Sequence, residues 1–159
     1  MVFVRLALLA LLIIPQTNHV RAADDPLSEE ELKGKAAQEL AAARKLIKEK
    51  KYYRAIYFLK EALEADGTNA DVYNNLGFAY RKMEKFDKAM AAYNKALQIN
   101  PSHKGALDYQ GELFLTLKKP AKAQQNWKKL QEICPTGCED LTKLQKAITK
   151  YNSGTYGGY

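Results

Sequence analysis

Beyond the first fifteen residues, the apolar side chains of this chain neither alternate nor run unbroken; they recur three and four positions apart. Tyr73, Leu76 and Tyr80 make one such run, and Phe86, Ala89, Tyr93, Ala96 and Leu97 make the next. That spacing predicts two helices of roughly 12–15 residues joined by a short turn. The figure then returns at a fixed interval. Ala55, Ala89 and Ala123 are 34 residues apart, as are Gly77 and Gly111, Pro101 and Pro135, and Tyr93 and Trp127. Ala62, Ala96 and Leu130 keep the same step. Separate columns in one register predict stacked helix pairs framed by 36–69, 70–103 and 104–137. Gly77, Ala89, Gly111 and Ala123 fall where paired helices approach closely, so larger side chains there would force the backbones apart. An ordinary helical bundle has no need of small residues at a period of 34.

Both ends of the array carry stop signals. Ser28 with Glu31 three residues on is a capping box, and Leu27 and Leu32 are placed for a hydrophobic staple. Glu29, Glu30 and Glu31 suit the positive end of a helix, which places the first helix start near residue 28, inside an acidic lead of 23–35. Leu141, Leu144 and Ile148 form an apolar stripe opposite Lys143, Lys146 and Lys150. This predicts a capping helix over 138–151 that covers the open end of the third repeat. Residues 152–159, rich in Gly and Tyr, are expected as a flexible tail.

The middle copy, Ala70 to His103, resembles the tetratricopeptide repeat: Tyr73, then Leu76-Gly77, Tyr80, Ala89, Tyr93 and Pro101. The third copy matches at Gly111, Phe114, Ala123, Trp127 and Pro135, with Leu107 and Gln110 as departures. The first is worn at Ala42-Ala43 but keeps Ala55, Ala62 and Leu63. The resemblance implies an all-α chain: a short right-handed α-solenoid of about three helix pairs with a C-terminal cap. It also implies a concave face lined by the first helix of each pair. In that frame Arg44, Asn74, Asn75, Phe78, Arg81, Asp108, Tyr109 and Glu112 line a mixed polar and aromatic groove for a peptide or protein. Phe78, Arg81 and Tyr109 are expected as its hot spot, free of any packing duty. One subfamily grips C-terminal carboxylates through Lys, Asn and Arg at set positions. Here only Asn75 fits, since Leu40, Arg44, Gly105 and Tyr109 hold the other places, so chaperone-tail binding does not carry over.

Composition narrows the chemistry. Of 159 residues, 25 are Lys or Arg and 18 Asp or Glu, a net charge of +7. Only two His and two Cys are present, too few for a structural zinc module once His19 is set aside, and few for acid–base or nucleophilic catalysis. No cofactor, metal or enzymatic activity is expected. Residues 1–22 read as a secretory signal peptide: Arg5, an apolar run from Leu6 to Ile14, Pro15, and Val20-Arg21-Ala22 before the cut. The competing reading is a retained anchor, although nine apolar residues fall short of the about 20 that span a bilayer. The reading is export, to a periplasm or beyond, with no stable membrane insertion after cleavage. Counted by repeat, the basic charge is spread along the array, which disfavours nucleic acid.

Cys134-Pro135-Thr136-Gly137-Cys138 lies at the turn before the cap. In an oxidising compartment it is a disulfide closing a short loop; free or switching thiols and a two-thiolate metal site are the alternatives. His103 reads as a turn histidine at a helix start. The functional expectation is an exported adaptor, scaffold or assembly factor, with weak homo-oligomerisation through a homotypic interface as a further option. The alternative is a redox or metal-handling accessory using the cysteine pair.

Overall fold

A computed structural model describes residues 26–157, all of whose regular structure is helical. Seven helices follow one another: α1 (Glu29–Lys48), α2 (Tyr52–Ala65), α3 (Ala70–Lys82), α4 (Phe86–Ile99), α5 (Lys104–Thr116), α6 (Pro120–Ile133) and α7 (Glu139–Asn152). The ends of α2, α4 and α6 recur at the 34-residue interval of the sequence. Helices α1 and α2, α3 and α4, and α5 and α6 pair, and the pairs stack into a short α-solenoid with α7 against α5 and α6. The signal peptide expected over 1–22 lies outside the described residues. Among those described, no helix is long and apolar enough to cross a membrane.

Local chemistry sets the helix ends. Ser28 Oγ accepts from the Glu31 N–H while Glu31 accepts from the Ser28 N–H, the reciprocal cap foreseen for α1. Leu27 remains about half exposed and Leu32 is partly buried. Asn69 caps α3 by accepting from the N–H groups of Asp71 and Val72. Each turn within a pair has one residue in the left-handed region, at Lys50, Glu84 and Lys118, again at equivalent positions. None is glycine, and each costs about 1–2 kcal/mol, which the packed helices on either side override.

The core is continuous along the stack. Ala36, Ala43, Ala55, Leu59, Ala62, Val72 and Ala79 are fully buried where the first two pairs meet. Gly77 lies against the Tyr93 ring, where a Cβ would stand 2.5 Å from Cε1. Ala89 and Ala123 are fully buried at the equivalent crossings of α4 and α6. At Gly111 a Cβ would meet the Leu144 methyls at 2.6 Å, so this close approach seats the cap helix. Leu144, Ala147 and Ile148 of α7 bury their stripe against Leu107, Leu115, Ala123 and Leu130, with Trp127, Leu141 and Tyr151 packed around them. Each fully buried leucine or isoleucine contributes roughly 1.5–3 kcal/mol. The expected tail does not stand clear of this cluster. Its described part folds back, so that Tyr156 stacks edgewise on Tyr151 at 6.1 Å and its hydroxyl donates to the Glu112 carbonyl at 3.1 Å. The contact spans 44 residues of sequence and exchanges a free aromatic for a half-buried one.

Candidate functional site

The first helices α1, α3 and α5 lie side by side, and their inner faces bring together residues far apart in sequence. Arg44 donates to Asp71 Oδ2 at 3.0 Å, joining α1 to α3. Asp71 Oδ1 meets His103 Nε2 at 2.9 Å, joining α3 to the start of α5. His103 also caps α5, its Nδ1 accepting from the Ala106 N–H at 3.1 Å. With Nδ1 accepting, the proton sits on Nε2 and points at Asp71. Burial pushes the Asp71 carboxyl up, but the hydrogen bonds from His103 and Arg44 outweigh it and hold it below the usual range. Asn75 donates to the Asp71 carbonyl at 2.8 Å, so the single residue matching a carboxylate-gripping pattern is engaged by its own helix. Asp71 and the bridging role of His103 escape a sequence reading; the signal available was their place at the N-terminal ends of successive first helices, Asp71 in the first turn of α3 and His103 at the cap of α5.

Further along the same face, Phe78 and Tyr109 pack with ring centroids 5.0 Å apart. The Arg81 guanidinium lies 5.6 Å from the Phe78 ring and 5.3 Å from the Tyr109 ring, and pairs with Glu112. Tyr109 leans in turn on Tyr93, and Tyr52 on Phe78. This cluster is the seam between the second and third helix pairs. Arg81 is only 2% exposed, Asp108 fully buried and Asn74 buried, so these three are not groove-lining surface. Phe78 and Tyr109 are half-buried and carry packing duty, contrary to the expectation that they are free of it. The physical reason is the closeness of neighbouring first helices: side chains that an isolated pair would expose are covered by the next pair. What remains open on the concave face is Arg44, Asp71 and the outer edges of Asn75, Phe78, Tyr109 and Glu112.

Asp108 is the most unusual group in this region. Neither carboxylate oxygen has a hydrogen-bond partner among the described residues. Burial, reinforced by Glu112 and Asp140, raises its pKa to about 8, with Lys143 and Arg81 pulling weakly the other way. It is therefore protonated at neutral pH. Beside it, Gln110 donates to Asn94 at 2.7 Å and accepts from Asn126 at 3.0 Å, a polar chain that runs from the exposed Asn94 into the interior and links α4, α5 and α6.

The structure brings Cys134 and Cys138 together across the last turn, with Cα atoms 5.8 Å apart, within the span of a disulfide. Gly137 takes a positive φ of 91° there, which lets the chain double back. Among the described residues no group of three or more His, Cys, Asp or Glu is placed to hold a metal ion.

The sequence profile of the tetratricopeptide repeat family matches residues 70–103, the copy whose helices are α3 and α4. The chain is a tetratricopeptide-repeat protein. It is 37% identical over 84 residues to TPR repeat-containing protein MJ1428 of Methanocaldococcus jannaschii, covering 48% of this chain and 15% of that one. It is 30% identical over 114 residues to RNA polymerase II-associated protein 3 of Mus musculus, covering 69% of this chain and 17% of that one. The chain thus spans less than a fifth of the length of these relatives, and the likeness concerns their repeats. Among solved structures, it is similar to the first TPR of Spaghetti (RPAP3) bound to HSP90 peptide SRMEEVD. That match has a TM-score of 0.67 and 26% identity, over 76% of this chain and 95% of that one. Repeat domains of this kind are protein–protein interaction modules.

Proposed function

We propose that this tetratricopeptide-repeat chain is an exported interaction module that presents its concave face to a peptide or protein partner. Binding rather than catalysis is the activity that fits the family. The observation that carries the reading is the ladder Arg44–Asp71–His103. It lays charged and hydrogen-bonding groups across three successive first helices, next to the open edges of Phe78 and Tyr109. A similar repeat domain holds an HSP90 peptide in its solved structure, which supports a peptide-sized occupant. Asn75 spends its amide on its own helix, so the occupant here is gripped by other means than a row of Lys, Asn and Arg on a terminal carboxylate. Export rests on the sequence of residues 1–22, and with it goes the proposal that Cys134 and Cys138 are bridged in the working protein.

The test is capture of partners on the immobilised chain, followed by Arg44→Glu. Arg44 is about half exposed, so its loss costs little stability. Partner affinity is expected to fall at least about tenfold, or roughly 1.4 kcal/mol. An unchanged affinity moves the site off the concave face. Thiol titration of protein isolated without reductant checks the second part. No titratable thiol is expected, and two reactive thiols would favour a redox role.

A further inference from the structure

Successive helices run antiparallel, so the turns inside each pair, α1 to α2, α3 to α4 and α5 to α6, all lie at one end of the stack. Neighbouring turns touch: Met83 borders a groove with Lys51 and Arg54, and Leu117 borders one with Lys85 and Lys88. Equivalent side chains therefore form rows. Lys51, Lys85 and Lys119 make one row and Arg54, Lys88 and Lys122 the next, all exposed. Charge that looks evenly spread along the sequence is gathered by the fold on one end. The acids there are fewer, namely Glu49, Glu84 and Asp87, with Lys51 paired to Glu49 at 2.8 Å. The opposite end carries Asp66, Asp71, Glu139 and Asp140 interleaved with Lys33, Lys104 and Lys143, so the signs are mixed there.

The lysine row gives up local helix stability three times over. Lys51, Lys85 and Lys119 sit at the N-caps of α2, α4 and α6, and none of these helices has a side-chain cap. The first helices are capped by Ser28, Asn69 and His103. A cation at an N-cap opposes the helix dipole and forgoes the hydrogen bond that Asp, Asn or Ser supplies. A local rule broken at the same place in every repeat points to a use for the charge outside the fold. Next to it, Tyr53 and Tyr57 project from one face of α2, 77% and 59% exposed.

We propose that this end of the stack is a docking surface for an anionic lipid bilayer. A plane of anionic headgroups meets all three turns at once, whereas a short acidic peptide meets one or two. Tyrosines beside cations are the side chains that settle at a bilayer–water interface. The association is peripheral and electrostatic, and it leaves the concave face open, so it stands apart from the peptide-binding proposal.

The experiment is cosedimentation of the full chain with phosphatidylcholine vesicles, with and without phosphatidylglycerol, at low and high salt. Association is expected to be at least about tenfold tighter on the anionic vesicles and to vanish at high salt. The variant Lys51→Asp, Lys85→Asp, Lys119→Asp gains caps, so it is expected to melt higher than the parent while losing vesicle binding at least about tenfold. A matching triple Gln variant removes the charges without adding caps, and is expected to lose binding as well; it decides the matter if the Asp variant misfolds. Equal association with neutral and anionic vesicles, or binding unmoved by the triple substitutions, overturns the proposal. So does retention on poly-glutamate without vesicle binding, which would assign the row to an acidic protein.

Discussion

Asp108 shows what the seam between repeats demands of a single side chain. Its carboxyl is fully buried and holds its proton up to a pH of about 8. An unfolded chain releases that proton near pH 4. Between those values the folded state binds the extra proton, so the contribution of this group to stability falls as pH rises, by about 1.4 kcal/mol per pH unit, and levels off above about 8. Asp108→Asn removes this dependence. Melting curves of the two proteins should lie closest near pH 4 to 5 and diverge toward pH 8, with the variant the more stable by several kcal/mol; a constant gap would show that the buried acid is not protonated. The glycines give a second test. Gly77→Ala drives a methyl into the buried Tyr93 ring, and its loss should exceed the about 1 kcal/mol gained in helix propensity. Gly111→Ala meets only the terminal methyls of Leu144 and should cost less in the same chemical denaturation. The need for small residues at these sites was legible in the sequence because two backbones cannot cross closely over a bulky side chain. The burial of Arg81 and Asp108 was not, since the pattern says which face of a helix turns inward but not how far the next pair covers it.

At the scale of elements, helix starts were readable wherever side-chain chemistry marks them. Ser28 with Glu31 opens α1, and the 34-residue register carries each later boundary along the chain. The path of the segment after α7 was unreadable, because Tyr156 is held by a carbonyl 44 residues away. Helix α7 contributes Leu144, Ala147 and Ile148 to a core otherwise open at its end. Substituting Ile148 and Leu144 together by Ser should therefore unfold the third pair while α1 to α4 keep their helicity, as amide exchange resolved by peptide can show. Cys134→Ser should be milder: a loop this short limits the entropic gain of a bridge to about 2 kcal/mol.

For the whole molecule, stability is the sum of pairs and seams. Phe78, Arg81, Tyr109 and Glu112 form the seam between the second and third pairs. Phe78→Ala with Tyr109→Ala should therefore lower stability and separate the unfolding of the two halves, in place of a single transition. If the melting temperature held, the rings would be surface groups after all. The distribution of charge likewise belongs to this scale: a count along the sequence spreads it, and only stacking turns on one end assembles it.

The chain has one tryptophan, and the fold places it where it is most informative. Trp127 packs in the cluster that α7 closes, far along the stack from α1 and α2. Its emission is a built-in reporter of the last repeat alone. In a denaturant titration a red shift of that emission marks the lifting of the cap, while ellipticity reports the whole helical content, including all seven helices of the described residues. The separation of the two curves measures directly how strongly the ends of this short array are coupled.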